Sequence, residues 1–173
     1  MNMFYIDERA ENCAKWAVDS HCVKMILEAS QLLSTAHRIL DGVEYTDKTK
    51  TGRNVKRWRL PDARDTTLYS ATHVNHPCAV WCRQSATNYA FLWVYLSEHC
   101  KEYTYRYGKV HKVESSGLLT ALANHPNNLI NTSWIDPPSA MDTQYIISKD
   151  PIINYRNYYK IGKKHLHRWK KIG

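Results

Sequence analysis

Phenylalanine is scarce in this chain: 2 residues, against 12 Tyr and 6 Trp in a length of 173. The aromatic surface is therefore amphipathic, able to pack a core rim or to stack on a base while hydrogen-bonding. No long apolar run opens the sequence, because MNMFYIDERAENCAKW turns charged at Asp7. Neither a signal peptide nor a membrane span is expected. No CxxC pair occurs. The cysteines, Cys13, Cys22, Cys78, Cys82 and Cys100, are odd in number and without a framework spacing, which reads as free thiols in a reducing cytoplasm. Cys78 and Cys82 stand one helical turn apart with His73, His76 and His99 near in sequence, but core positions are the favoured reading and no metal is expected. No P-loop, GxGxxG, GxSxG or HExxH pattern is present, against the common nucleotide hydrolases and zinc proteases, and no cofactor is expected. Internal repeats and low-complexity segments are also missing, and strand-like alternation is scarce after residue 6.

What is there begins with charge. Lys+Arg number 24 and Asp+Glu 16, a formal +8, which favours a polyanionic partner such as nucleic acid, a free nucleotide or an anionic surface. With 43% hydrophobic residues, the chain can bury the core of one domain.

The stretch around which the chain is organised is DSHCVKMILEASQLLSTAHR, Asp19 to Arg38. Ile26, Ala29, Leu33, Ala36 and Leu40 recur at spacings of three and four, a helix face that wants burial, widened by Val23, Leu27, Leu32 and Ile39. The other stripe, His21, Lys24, Glu28, Gln31, Thr35 and Arg38, carries six different functional groups. It reads equally as a ligand-facing line or as an ordinary exposed stripe.

Around this helix the expected order is an extended lead at 1–6, a short helix capped by Asp7 and running to about Val18, and a stop at Gly42. A basic loop at about 44–65 follows, holding Lys48, Lys50, Arg53, Lys56, Arg57, Arg59, Arg64 and Trp58. Asn75 or His76 caps a helix with Pro77 in its first turn. That helix is expected to continue to about Tyr103, with Trp81 and Arg83 near its start. In EYTYRYGKVHK, Tyr103, Tyr105 and Tyr107 interleave with Arg106, Lys109, His111 and Lys112 around Gly108; the pattern suits phosphate and base contact or a Tyr-packed helix end. A last basic helix is expected from Pro151 to about Trp169, capped by Asp150, with Arg156 among its cations. The expected fold is mostly α, a single-domain helical bundle over 1–173 with a long central helix near the N-terminus.

DSHCVKMILEASQLLSTAHR, NHPCAVWCRQSATNYAFLW, and EYTYRYGKVHK with a later YRNYYKIGKKHLHRW together resemble an uncharacterised family of small tailed-bacteriophage proteins. That resemblance implies a setting, the host cytoplasm. Asp19, His21 and Glu28 also resemble the Asp-x-His and later Glu of the pyrimidine-dimer DNA glycosylases, the endonuclease V family. By that resemblance Glu28 would stabilise an opening sugar and its protonated imine, His21 would contact DNA, and the N-terminal α-amine would attack the sugar carbon. Asn2 is too large for easy removal of Met1, so the amine would belong to Met1. Leu27 and Gln31 stand where that family carries arginines.

Two functions follow as expectations. One is a DNA glycosylase/lyase with Glu28 and His21 catalytic. The other is a non-catalytic protein that sequesters a host-defence nucleotide signal, for which a homo-oligomer would help close the pocket. Either draws its nucleic-acid or nucleotide contacts from Lys24, Gln31, Asn75, His76, Trp81, Arg83, Tyr103, Tyr105, Arg106, Lys109, His111, Lys112 and Arg156. A third class, contact with a host protein through the basic last helix, stays open. The main helix, the Asn75–Arg83 turn and the Tyr103–Lys112 segment are expected to line one cleft.

Overall fold

The apolar period of residues 26–40 does form one long helix. In the computed structural model, which describes residues 1–170, α2 runs Asp19–Asp41. It follows α1, Ala10–Lys15, whose approach is set by Asp7 accepting from the Arg9 N–H and the Asn12 amide. α2 ends at Gly42, where the backbone turns extended, and only glycine fits there because a Cβ would collide with the Arg38 carbonyl oxygen. Ile26, Ala29, Leu32, Leu33 and Ala36 are buried, while Val23 and Leu27, on the flank of the stripe, are exposed.

The second long helix is α5, Ala86–Tyr107. It packs along α2 and α1 and brings Tyr89, Leu92, Tyr95 and Leu96 into the same core. The single helix expected from Pro77 to Tyr103 is two. His76 Nδ1 caps α4, Pro77–Cys82; the chain then turns through Arg83 and Gln84, and Ser85 Oγ caps α5 by accepting from the Asn88 N–H. Buried Ser85 is a second start signal that the apolar pattern conceals. Gly108, at φ +68°, closes α5 in the left-handed conformation that a glycine adopts without strain.

The expected basic loop is instead an antiparallel hairpin of β1, Val43–Lys48, and β2, Asn54–Arg59, so the chain is mostly α rather than all-helical. β1 is exposed along almost its whole length, and β2 alternates only between exposed and half-buried positions, with no residue fully buried. They are held by cross-strand charge: Arg57 to Asp47 at 2.9 Å, Lys56 to Glu44 at 3.4 Å, and the Arg59 guanidinium 4.5 Å above the Tyr45 ring. Short helices α3 (Arg64–Thr67), α6 (Lys112–Ser115) and α7 (Leu118–Ala121) tie the ends of the long ones.

The last helix is shorter than its sequence pattern. α8 spans Pro151–Asn157, capped by Asp150 as expected, and then widens into a π turn over Tyr158–Gly162 and a 3₁₀ turn over Lys164–Leu166. The Lys163 N–H reaches back to the Tyr158 carbonyl at 3.0 Å, and a Cβ at Gly162 would strike the Tyr158 ring. No helix among the described residues is long and apolar enough to cross a membrane. All five cysteines are buried free thiols, and among the described residues no group of His, Cys, Asp and Glu could hold a metal ion.

Candidate active site

The first six residues form no regular element; they bend at Phe4 and bring the chain start onto α2. Asn2 anchors this segment: its amide donates to the Ala140 carbonyl at 2.8 Å, and its Oδ1 accepts from the Met3 and Phe4 N–H groups. Phe4 stands at φ +42°, a conformation that costs a non-glycine residue roughly 1–3 kcal/mol. That bend stacks its ring on His21 at 4.2 Å between centroids.

The Met1 side chain is 2% exposed although the residue as a whole is half-buried, so its exposure lies at the backbone amine. That amine is 3.9 Å from Glu28 Oε1. Lys24 Nζ, one helical turn earlier on α2, is 3.9 Å from the same oxygen. Neither separation is a hydrogen bond; two amines face one carboxylate oxygen at ion-pair distance. His76 lies near this group: burial first, and then the Met1 positive charge, hold its imidazole below the usual value.

His21 completes the wall. The Tyr159 hydroxyl accepts from the Val18 N–H at 2.8 Å, so its own proton is free to go to His21 Nδ1 at 2.9 Å. That bond puts the remaining imidazole proton on Nε2. Burial, with Lys163 and Lys24 adding to it, lowers the His21 pKa to about 4; the ring is neutral at pH 7. Nε2 has no protein hydrogen-bond partner among the described residues, which leaves its N–H free for a ligand in the cavity that His21 lines. Lys163, carried round by the π turn, holds Nζ 5.1 Å above the Tyr158 ring and 5.8 Å from that of Phe4. The enclosed space is about 370 Å³, lined by Met1, Asn2, Phe4, His21, Lys24 and Glu28, with Ala140, Tyr158 and Lys163 closing the far side.

The mixed stripe of α2 therefore divides. Its first half, His21, Lys24 and Glu28, lines the cavity. Its second half is a clamp. Thr35 exchanges hydrogen bonds with the Thr72 backbone. Arg38 is buried and donates to the Trp58, Asp65, Leu68 and Tyr69 carbonyls and to the Asp65 carboxylate. Gln31, between the two halves, is half-buried and outside the cavity lining.

The expected single cleft does not form. Arg106 is buried, bound to Glu102 and Asp19 and to the last carbonyls of α1 at Ala14 and Lys15. Tyr103 packs against Tyr107 and His111, His111 caps α6, and Tyr105, Lys109 and Lys112 are exposed elsewhere on the surface. Trp81 is buried, with its indole N–H on the Ile135 carbonyl. Arg83 donates to the Val74 carbonyl, Asn75 is exposed, and Arg156 binds the Ile6 carbonyl and Asp7. None of these lines the cavity, and of the 75–83 turn His76 and buried Cys78 sit near the amine.

Reading the residues alone missed Asn2, Phe4, Tyr158 and Lys163. The signal for Phe4 was its rarity, and for Lys163 the Gly162 that lets the helix widen. Compared with protein-family models, curated proteins and solved structures, the chain matches none.

Proposed function

We propose that the protein is an amine-nucleophile enzyme acting on nucleic acid, a DNA glycosylase/lyase in which the Met1 α-amine forms an imine with a sugar carbon beside Glu28. The observation that carries this reading is the Met1 amine and Lys24 Nζ, each 3.9 Å from Glu28 Oε1 in one cavity walled by neutral His21. A nucleophilic amine needs a nearby group to take and return protons and a negative charge to face the cationic imine.

The neutral amine bonds to C1′ and its proton passes to Glu28. In the same step the C1′–base bond breaks, and the base leaves with the electron pair and takes a solvent proton. The C1′–O4′ bond then opens as the nitrogen lone pair forms C=N⁺, and O4′ takes the proton that Glu28 holds. Glu28, again a carboxylate, faces the iminium. His21 Nε2–H supplies a donor to a sugar or phosphate oxygen, and Lys24 and Lys163 supply phosphate charge. In a bacteriophage such a protein would work on DNA in the host cytoplasm.

The test is borohydride trapping on an oligonucleotide carrying one abasic aldehyde. The expected result is a covalent adduct mapped by mass spectrometry to Met1, absent when the amine is blocked by N-terminal acetylation. An adduct on Lys24 or Lys163 instead, or none, would overturn the assignment.

A second reading has its own support. Lys24 and Lys163 beside the Phe4 and Tyr158 rings, in about 370 Å³, suit one free nucleotide held without turnover. A nucleotide released on heat denaturation, together with no imine trapping, would favour that sequestering role.

A further inference from the structure

A second concavity of about 320 Å³ is lined in part by Tyr159, which connects it to the first through His21. The Tyr159 hydroxyl holds His21 in the first site, while its ring lines the second. The other walls are Trp16, Trp169 and His167, with Arg156 and Lys160 at the rim. The two tryptophans are 46% and 49% exposed, although Trp81, 2% exposed, shows that this chain can bury an indole fully. Their placement is built. Trp169 donates its indole N–H to the Trp16 carbonyl at 3.1 Å. The segment carrying it is tied to the start of α2 on both sides, by the Asp19 N–H to the Arg168 carbonyl at 2.8 Å and the Lys170 N–H to the Asp19 carboxylate at 2.9 Å. His167 donates Nε2–H to the Tyr159 carbonyl, which leaves Nδ1 as an acceptor.

We propose that this Trp16–Trp169 pocket is a stacking subsite for one unpaired nucleobase of the same strand whose sugar enters the Met1–Glu28 cavity. The proposal rests on the nucleic-acid reading above and adds to it the place where a neighbouring base is held. Charge selects the occupant. A cage of indoles and a phenol would suit a quaternary cation, but Lys160 in its lining repels one, while Arg156, 5.9 Å from the Trp16 ring centroid, already has Asp7 as its counter-charge. An aromatic ring attached to phosphates satisfies both the rings and Lys160. An apolar peptide would leave Lys160 without a counter-charge.

The experiment uses the full chain and a fluorescent 12-nucleotide oligothymidylate. Anisotropy should show Trp16→Leu and Trp169→Leu each weakening binding roughly tenfold, as loss of one base–aromatic stack does. Trp169→Tyr, which keeps a ring, should stay within about threefold. The slope of log affinity against log salt should be unchanged, because no phosphate contact is removed. On the wild-type protein, N-bromosuccinimide oxidation read by mass spectrometry should find Trp16 and Trp169 protected by the oligonucleotide, while half-exposed Trp134, on another face, is not. The wild-type footprint decides the matter should a leucine variant unfold. Unprotected tryptophans, a shallower salt slope in the variants, or full affinity in both leucine variants would overturn the subsite. Protection without borohydride trapping would sink the imine chemistry and keep the subsite, and trapping without protection would do the reverse.

Discussion

Glu28 Oε1 faces two amines at 3.9 Å, and that single atom makes the sharpest expectation at the scale of the residue. Glu28→Gln keeps the shape and removes the charge and the proton acceptor. Turnover on a base-containing substrate should fall at least about a hundredfold, the usual worth of a positioned acid–base group, with oligonucleotide affinity little changed. A variant whose turnover stays within a few-fold of wild type would remove Glu28 from the chemistry. His99 is a different case. It donates Nδ1–H to the Tyr95 carbonyl, while Nε2 is fully buried with no partner. Burial lowers its pKa to about 4. His99→Leu removes that orphan acceptor, so at pH 7 it should shift stability by no more than about 1 kcal/mol. At pH 5 it should melt higher than wild type, because the buried group that resists protonation is gone. A lower melting temperature at pH 5 would contradict this.

Among the elements, α2 does two jobs with one face. Its second half is fastened to the segment 58–69 by Arg38, whose guanidinium satisfies four backbone carbonyls and a carboxylate. Arg38→Ala leaves those acceptors unpaired near the core and should cost about 3–5 kcal/mol in chemical denaturation. A loss under 1 kcal/mol would mean that water replaces the arginine freely. The π turn after α8 has the opposite bearing, on function more than on folding. It places Lys163 over Tyr158 and Phe4, and wide turns of this kind recur at functional sites. Lys163→Ala should weaken oligonucleotide binding and reduce the salt slope by about one phosphate contact. An unchanged slope would place Lys163 outside the interface. The hairpin and α3 show why basic residues mislead when counted singly: Lys56, Arg57 and Arg64 are paired with Glu44, Asp47, Asp41 and Asp62.

For the whole molecule, three buried histidines set the acid limit. His21, His37 and His99 are each lowered to about 4, in every case mainly by burial. His37 is held neutral by its bonds as well. The Tyr89 hydroxyl donates to the Leu122 carbonyl, so it accepts from His37 Nε2–H, and Arg64 donates to His37 Nδ1. Unfolded histidines take up protons near pH 6.5, and the folded ones do so only near pH 4. The folded state is therefore favoured above pH 6.5 and loses stability as pH falls through that window, by about 1.4 kcal/mol per pH unit for each histidine. Melting temperature should be flat above pH 7 and drop steeply from pH 6.5 to 4. A flat profile across pH 4–7 would show the three rings to be ordinary.

The helical class, the extent of α2, its stop at Gly42, and the caps at His76 and Asp150 were legible in the residues, because apolar period, caps and glycines act within a few positions of chain. So was the grouping of His21, Lys24 and Glu28, which one helix places on one side without help. The tertiary structure alone decided which polar residues work and which merely hold. Arg38 and Arg106 look like surface cations in one dimension and are buried clamps in three. Tyr103–Lys112 and the cavity both touch α2 in sequence logic, yet only packing determines that the segment lies elsewhere. The Met1 amine reaches Glu28 because the Asn2 amide binds the Ala140 carbonyl, 138 residues away, and no local pattern encodes a contact at that separation.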